Sequence, residues 1–497
     1  MMNMTPEEFR RAVSMWGIAL CLVAAAAGWV FMRFGQAWSI GDLPTSNYVS
    51  QIVPAYVVAE VALIPVGGKL VDALGVKKVL AVAPFVFIIS SLLCMIAPSV
   101  EFLILCRMFQ GAGAGLILAV AFTAVGKYYD NEKCGKCNEL MTGAFAIGSL
   151  FGTAFGYFLT ETFNWRMGFV VLSAMVFVGF ILAWRFLPER EADGRGIDTV
   201  GMLITALVFG VATLYTQTVN VNFDLISLPS LLIAVIVTIL VIILLHRMHN
   251  SEHPVIPVRT SLFVKQLTVL MFMFSLCGLG LIQYFFKLYL TYYDFNIYKA
   301  TSMFLYMLGG AAIPSIIGSR IVYRTGARPW ILVGSVIVTV SLIVTHFIAD
   351  KGVVQLAISL FMFGFGLGCI VTEIICSMQT VVDKKDMGQH TGNLMAVRMV
   401  GIMAGNGVIG AYIGGLIHEN NGNGIIDLSA SDNLLNSISE LIASSLEYVK
   451  VTMDTGFLMS ALVMAVLTAL LAIVAYRLGK DDLDALEASG EEDDSVA

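Results

Sequence analysis

Fourteen apolar stretches recur along this 497-residue chain, each reaching or approaching the roughly 20 residues that a helix needs to cross about 30 Å of hydrocarbon. They fall at about 13–36, 49–67, 79–97, 102–126, 138–160, 167–186, 198–217, 225–246, 266–290, 300–319, 329–348, 353–380, 389–417 and 456–476. With 58% hydrophobic residues and a mean hydropathy of +0.85, too little polar surface remains for a soluble globule of this length. A backbone in lipid must satisfy its own hydrogen bonds, and the period-two alternation of a membrane barrel is absent. The expected fold is therefore an all-α integral membrane protein with fourteen transmembrane helices. The first stretch, although preceded by Arg10 and Arg11, is longer than the about 7–15 residues of a signal-peptide core and counts as a span.

An even number of spans puts both ends on one side, and the basic residues say which. Arg10, Arg11, Lys69, Lys77, Lys78, Lys127, Lys133, Lys136, Arg247, Arg259, Lys265, Lys384, Lys385 and Arg477 all fall on the same face, which the positive-inside rule makes cytoplasmic. Little more than Arg166, Lys299, Lys351 and Lys450 falls opposite. The expected location is the plasma membrane, with both termini cytoplasmic. The formal net charge of −6 owes its sign to the tail 481–497, which carries eight acidic residues and no Lys or Arg and reads as a solvated disordered end.

The chain also repeats itself. The segment from Gly68 to Lys78 has a degraded echo from Gly318 to Arg328, with eight spans between the two. Six-helix halves would leave six, so two extra helices sit between them. The expected organisation is an N-terminal six-helix bundle (1–190), a linker with two inserted helices (191–262), and a C-terminal six-helix bundle (263–480). The last includes a long external loop at 418–455, and the acidic tail follows. Two bundles in pseudo-twofold arrangement around a central site are the logic of a secondary transporter.

Between spans 2 and 3, Gly68, Leu70, Asp72, Gly75, Lys77 and Lys78 resemble the G-x-L-x-D-R-x-G-R-K loop of the major facilitator superfamily, in particular its fourteen-span drug:proton antiporter branch. Ala73 stands where the loop usually has Arg. Glycines permit a tight turn and close backbone approach, Asp72 can engage a facing helix N-terminus, and the lysines hold the cytoplasmic surface. The resemblance makes Gly68, Asp72, Gly75, Lys77 and Lys78 a conformational latch between rocking halves.

Span 4 contains Arg107, Gln110, Gly111, Gly113 and Ala114, which resemble the family's R-x-x-Q-G-x-G-A motif. An arginine inside hydrocarbon is a functional hypothesis by default, and the resemblance links this one to proton coupling. The alternative is a side chain snorkelling to the outer boundary near Glu101. Span 5 departs from the antiporter signature, with Thr153 in place of its Pro, although Gly143, Gly148, Gly152 and Gly156 still mark a close-packed interface. Asn164, Trp165 and Arg166 resemble the family's short external turn. In span 1 the position of the usual cation-attracting Asp falls near Gly28.

The other ionisable groups within spans are taken as Glu60, Lys287, Glu373 and Arg398. Glu60 and Glu373 join Arg107 as proton-coupling candidates, with a structural ion pair as the alternative for each. Arg33, Gln110, Gln283, Arg398 and Asn406 are substrate-cavity candidates; the two arginines suit an anion and the amides a poorly charged ligand.

Cys134 and Cys137 sit as CGKC in what reads as a cytoplasmic loop, without the further ligands a structural zinc needs. No metal site or cofactor is expected. No phosphate-binding loop, zinc-protease motif or nucleophile elbow occurs, so the chain is not read as an enzyme. Within the external loop, Leu434, Leu435, Ile438, Leu441, Ile442 and Leu446 predict an amphipathic helix.

The leading expectation is a proton-coupled exporter of small amphipathic compounds working by alternating access. An uptake symporter or facilitator for a metabolite such as an organic anion is the alternative, and a non-transporting membrane sensor the third. Expected partners are a small-molecule substrate, protons and the lipid bilayer; no nucleic acid is expected, and the chain reads as a monomer.

Overall fold

The structure is a computed structural model that describes residues 5–44, 48–129, 131–188, 196–218, 228–276, 306–307, 309–314, 317, 328–348 and 353–422. No strand occurs among them. The helices are α1 (Pro6–Asp42), α2 (Ile52–Leu74) after a single 3-10 turn, α3 (Val76–Met95), α4 (Val100–Tyr128), α5 (Asn131–Thr162) and α6 (Trp165–Phe186). They continue with α7 (Thr199–Thr218), α8 (Leu228–Asn250), α9 (Leu262–Phe274), α10 (Arg328–Ile348), α11 (Val353–Val381) and α12 (Met387–Gly422). Eight of the described helices are long and apolar enough to cross a membrane. The echo motif from Gly318, the last expected span, the helix expected at 434–446 and the acidic tail lie outside the described residues, as do Gln283 and Lys287.

Small residues set how closely the helices approach. On α5, Gly148 and Gly152 lie against the backbone of Val23 and Ala27 on α1, where an added Cβ would strike a carbonyl. Gly17 of α1 and Gly179 of α6 meet in the same way. On α4, Gly111 and Gly115 admit the carbonyls of Tyr56 and Glu60 from α2, while Gly113 faces Phe87 of α3. Such contacts replace the hydrophobic driving force that lipid does not supply. Along the C-terminal helices, Gly334 of α10 packs on Gly366 and Cys369 of α11.

Side-chain caps fix the turns on the face opposite the basic residues. Ser99 accepts the Phe102 amide at the start of α4, and Asn164 accepts the Arg166 amide at the start of α6. The Arg166 guanidinium donates to the carbonyls of Met95 and Ala97 at 2.8 and 2.9 Å, tying the α3–α4 turn to the α5–α6 turn. Trp165 Nε1 donates to Asp42 at the end of α1. The Asn164-Trp165-Arg166 segment thus braces three turns.

Two segments read as loops are helix. The Gly68–Leu74 part of the glycine motif forms the last turns of α2, and only Gly75 separates α2 from α3, with φ 87° and ψ 154°. The Cys134–Cys137 segment lies in the first turns of α5, because that helix starts at Asn131, well before its apolar run. Both segments carry polar residues that are buried against other helices, which hydropathy alone cannot distinguish from solvated ones.

N-terminal helices meet C-terminal ones along two seams. Helix α12 packs on α2 and α4, and α11 packs on α5. Helix α7 touches α2 and α12 and is paired with α8. Beyond α8, Asn393 of α12 donates to the Val255 carbonyl at 2.9 Å, and Thr260 meets His390 at 3.2 Å, so the 251–261 segment docks on the start of α12.

Candidate functional site

The first seam is built on glycine and one carboxylate. Gly68 of α2 faces Gly388 and Gly392 of α12 so closely that a Cβ on Gly68 would strike the Gly388 carbonyl. Close approach carries Asp72, one turn beyond Gly68, onto the N-terminus of α12. There its carboxylate accepts the amides of Gly388 and Gln389 at 2.8 and 2.7 Å and pairs with Lys127 of α4 at 2.8 Å. Asp72 is 1% exposed, so three charge-assisted bonds offset the cost of burying it. The exposed N-terminal amides of a helix suit this anion. Lys69 Nζ donates to Gln389 Oε1 at 3.4 Å in the same seam. Lys77 lies 5.4 Å from the centre of the Trp184 ring, and Lys78 is exposed. Ala73, in place of the family arginine, is buried. Lys127 was missed by the sequence reading because nothing in its spacing predicts a partner 55 positions earlier in the chain.

Within the N-terminal helices, Arg107 is fully buried rather than snorkelling. Its guanidinium donates to Gln110 Oε1 at 2.6 Å and to the Gly28 carbonyl of α1 at 3.0 Å, and stacks 4.2 Å from the Tyr56 ring centre. Gln110 in turn donates to Ser91 of α3 at 2.6 Å, and Tyr56 donates to the Ala25 carbonyl at 2.6 Å. Gly28, where the family's drug pumps place an Asp, supplies only its carbonyl. Glu60 lies one turn beyond Tyr56, fully buried, and neither of its oxygens has a hydrogen-bond partner among the described residues. It feels the Arg107 charge without an ion-pair contact. The α4 glycines that admit the Tyr56 and Glu60 carbonyls thus also bring this carboxyl near the arginine.

The second seam holds Glu373 of α11, also fully buried and with both oxygens unbonded among the described residues. A polar network lies one turn further along. Asn138 of α5 donates to Gln379 Oε1 at 2.6 Å and lies 3.6 Å from the sulfurs of Cys134 and Cys376. Cys134 meets the same Gln379 oxygen at 3.0 Å, and Gln379 Nε2 donates to the Phe122 carbonyl of α4 at 3.1 Å. Cys134 is therefore a buried structural thiol. No group of three or more His, Cys, Asp or Glu side chains suited to a metal occurs among the described residues. Arg398 of α12 lies 5.8 Å from the centre of the Phe145 ring on α5, its Nε unbonded among the described residues. Arg33 and Asn406 fall within α1 and α12, but their side chains lie outside the described residues.

Two buried seams, a buried arginine and two unbonded buried carboxyls on an all-helical, bilayer-length scaffold fit one family. Residues 12–406 match the Major Facilitator Superfamily. The chain belongs to that superfamily. It is 21% identical over 424 residues to the multidrug transporter protein MdtP of Bacillus subtilis (strain 168), covering 83% of this chain and 77% of that protein. It is 23% identical over 404 residues to multidrug resistance protein 3 of the same strain, covering 79% and 78%. Among solved structures, the human organic anion transporter MFSD10 (TETRAN) superposes with a TM-score of 0.61 at 13% identity, over 93% of this chain and 100% of that one. The proton:xylose symporter XylE, bound to 6-bromo-6-deoxy-D-glucose, gives 0.56 at 12%, over 91% and 94%. At these identities the structural matches establish the fold alone. As a major facilitator, the chain is a membrane transporter and not an enzyme.

Proposed function

We propose that this transporter is a proton-coupled exporter of small amphipathic compounds that works by alternating access. The observation that carries the coupling is Glu60: a carboxyl sealed inside the α1–α4 packing, unbonded among the described residues and close to a guanidinium that is itself held by Gly28 and Gln110. Ionisable groups at bilayer depth are costly and mark proton or substrate paths. Glu373 is the second carrier candidate, in a seam that must part if the binding site is to open on that face. The relatives named as multidrug transporters support export and an amphipathic substrate class.

In this reading the chain has fourteen spans, as two six-helix bundles related by a pseudo-twofold axis (1–190 and 263–480) with α7 and α8 inserted between them (191–262). It acts as a monomer in the plasma membrane with both termini cytoplasmic, and the Asp72 seam is the cytoplasmic gate in its closed position. Asp72, Gly68, Gly75, Lys77 and Lys78 hold that gate, and substrate meets Arg398, Arg33, Gln283 and Asn406 in the cavity between bundles, whereas Gln110, buried and bonded to Arg107 and Ser91 within the N-terminal helices, acts behind it. Arg398 favours a second reading, uptake of an organic anion, because it presents an incompletely bonded guanidinium beside Phe145.

The deciding experiment is purified transporter in liposomes with an imposed pH gradient and an internal pH-sensitive dye. Export by exchange predicts proton movement opposite to an amphipathic dye and dependent on it. Proton movement with the substrate, or none at all, would overturn the exporter reading.

A further inference from the structure

Helices α3 and α4 run antiparallel, and two contacts fix their register. An added Cβ on Gly113 would lie 2.7 Å from the Phe87 amide nitrogen, and Gln110 donates to Ser91 at 2.6 Å. One further turn along each helix brings Cys94 of α3 opposite Cys106 of α4. There the two thiols are hydrogen-bonded to each other. Both cysteines are buried, and both are free thiols. A disulfide needs Cα atoms about 4.4–6.8 Å apart. Packing of backbone on backbone at Gly113 and Phe87 supplies that kind of approach, and the contact between the thiols shows that it extends to this pair. The turn joining the helices is held as well, because Arg166 donates to the carbonyls of Met95 and Ala97.

We propose that Cys94 and Cys106 are an oxidisable pair that closes into a disulfide bridging α3 and α4, and that this bridge braces the Arg107 network beside it. A membrane-soluble quinone is the oxidant: both S–H bonds break, one S–S bond forms, and two electrons and two protons pass to the quinone, which becomes a quinol. Leu92, Leu93 and Phe109 are exposed around the pair and face hydrocarbon in a bilayer, which gives such an oxidant an approach that polar reductants lack. The α3–α4 turn lies on the face opposite the basic residues, away from the cytoplasmic systems that keep thiols reduced. The proposal goes beyond the transport reading above and holds whatever the substrate, coupling ion or direction.

The bridge acts through its neighbours. Ser91 lies one turn before Cys94, and Gln110 one turn after Cys106. Gln110 donates to Ser91 and accepts from Arg107, whose guanidinium also reaches the Gly28 carbonyl. Separation of α3 from α4 would release Gln110 and take from a buried guanidinium one of its acceptors, which is costly. A covalent link one turn away opposes that separation, and it also restricts the unfolded chain by closing the loop between the two cysteines. Other pairings are less suited. Cys134 and Cys137 stand three residues apart on one helix, and Cys134 and Cys376 lie on opposite sides of the α5–α11 seam, which alternating access must part. Cys94 and Cys106 both belong to the N-terminal helices, so their bridge is compatible with an open or a closed seam.

The test uses the full chain in membranes, treated with either a short-tailed quinone or a reductant, then denatured, alkylated and mapped by peptide mass spectrometry. Oxidation should remove Cys94 and Cys106 from alkylation together and join their two peptides, and a reductant applied after unfolding should restore both. Thermal unfolding should shift upward by several degrees in the oxidised protein, and the shift should vanish in Cys94→Ala and in Cys106→Ala. Ser91→Ala, which removes the acceptor of Gln110, should lower the midpoint of the reduced protein more than that of the oxidised one. Full alkylation of both cysteines after oxidation, or linkage of either to a different cysteine, would overturn the pairing. Equal midpoints for oxidised and reduced wild-type protein, or equal losses from Ser91→Ala in the two, would overturn the bracing role.

Discussion

Asp72, near the end of α2, accepts the backbone amide of Gly388, in the first turn of α12, at 2.8 Å. A side chain of the N-terminal helices thereby caps a helix of the C-terminal ones, while Lys127 balances its charge from α4. Because the bond joins elements on opposite sides of a seam, it can exist only while that seam is closed. In the proposed alternating-access cycle its strength contributes to the population of the closed state.

Asp72→Asn keeps one acceptor oxygen for α12 but loses the Lys127 ion pair. Breaking such a pair typically costs about 3–5 kcal/mol, much of which opening of the seam can relieve by hydrating the lysine. Transport turnover is expected to fall at least about tenfold with membrane insertion unchanged. Lys127→Met in the Asp72→Asn background, which removes the buried positive charge as well, should recover part of the loss. Wild-type turnover in the single variant would exclude a gating role for this contact.

Gly68→Val tests the same seam sterically, because the new side chain would strike the Gly388 backbone. The closed arrangement cannot form around that side chain. Accessibility of Gln389 to a water-soluble thiol reagent, read in a Gln389→Cys variant, should rise about tenfold or more. Gly75→Val is a separate lesion: the positive φ of this residue costs a β-branched side chain of order 1–3 kcal/mol, and both turnover and stability should drop. Equal labelling with and without Gly68→Val would mean that the seam repacks around the bulk.

Helix existence and helix packing were largely legible in the sequence, and for a shared reason. Apolar runs report what faces lipid, and glycines such as Gly111, Gly115, Gly148 and Gly152 report where backbones touch. Polar residues buried between helices carried a weaker signal, and it was the motif resemblance rather than hydropathy that pointed Asp72 at a facing helix N-terminus. Lys69 and Asp72 made the end of α2 read as a loop, and Cys134 and Cys137 did the same for the start of α5, although both segments are helix and Lys69, Asp72 and Cys134 are buried in the seams. Arg107 was visible as an intramembrane cation, whereas its Gly28 carbonyl partner could come only from how α1 lies on α4.

Arg107→Lys retains a positive charge and loses the planar fork that reaches Gln110 and the Gly28 carbonyl together. If the fork positions the charge beside Glu60, driven accumulation should fall about tenfold or more while exchange of substrate at equilibrium changes far less. Glu373→Gln should behave likewise, because an amide mimics only the loaded carboxyl. Both fluxes are to be measured in the same vesicles. Parallel loss of exchange and driven flux would identify these residues as structural or substrate-binding, and unchanged driven flux would remove them from coupling.

Charge selectivity separates the exporter from the anion-uptake reading. Arg398 brings a guanidinium to the α5–α12 boundary against the Phe145 ring, where cation–π contact offsets only part of its desolvation. An anionic substrate would supply the remainder; a cationic one would have to rely on Glu60 or Glu373. Competition among matched cationic, neutral and anionic amphiphiles, repeated in Arg398→Gln and Arg33→Gln, reads the balance directly. If Arg398 faces substrate, Arg398→Gln should weaken competition by the anionic member about tenfold relative to the neutral one. Preferential competition by the cationic member, unchanged in both variants, would reject an anion-selecting cavity and leave a carboxyl as the group that meets the substrate.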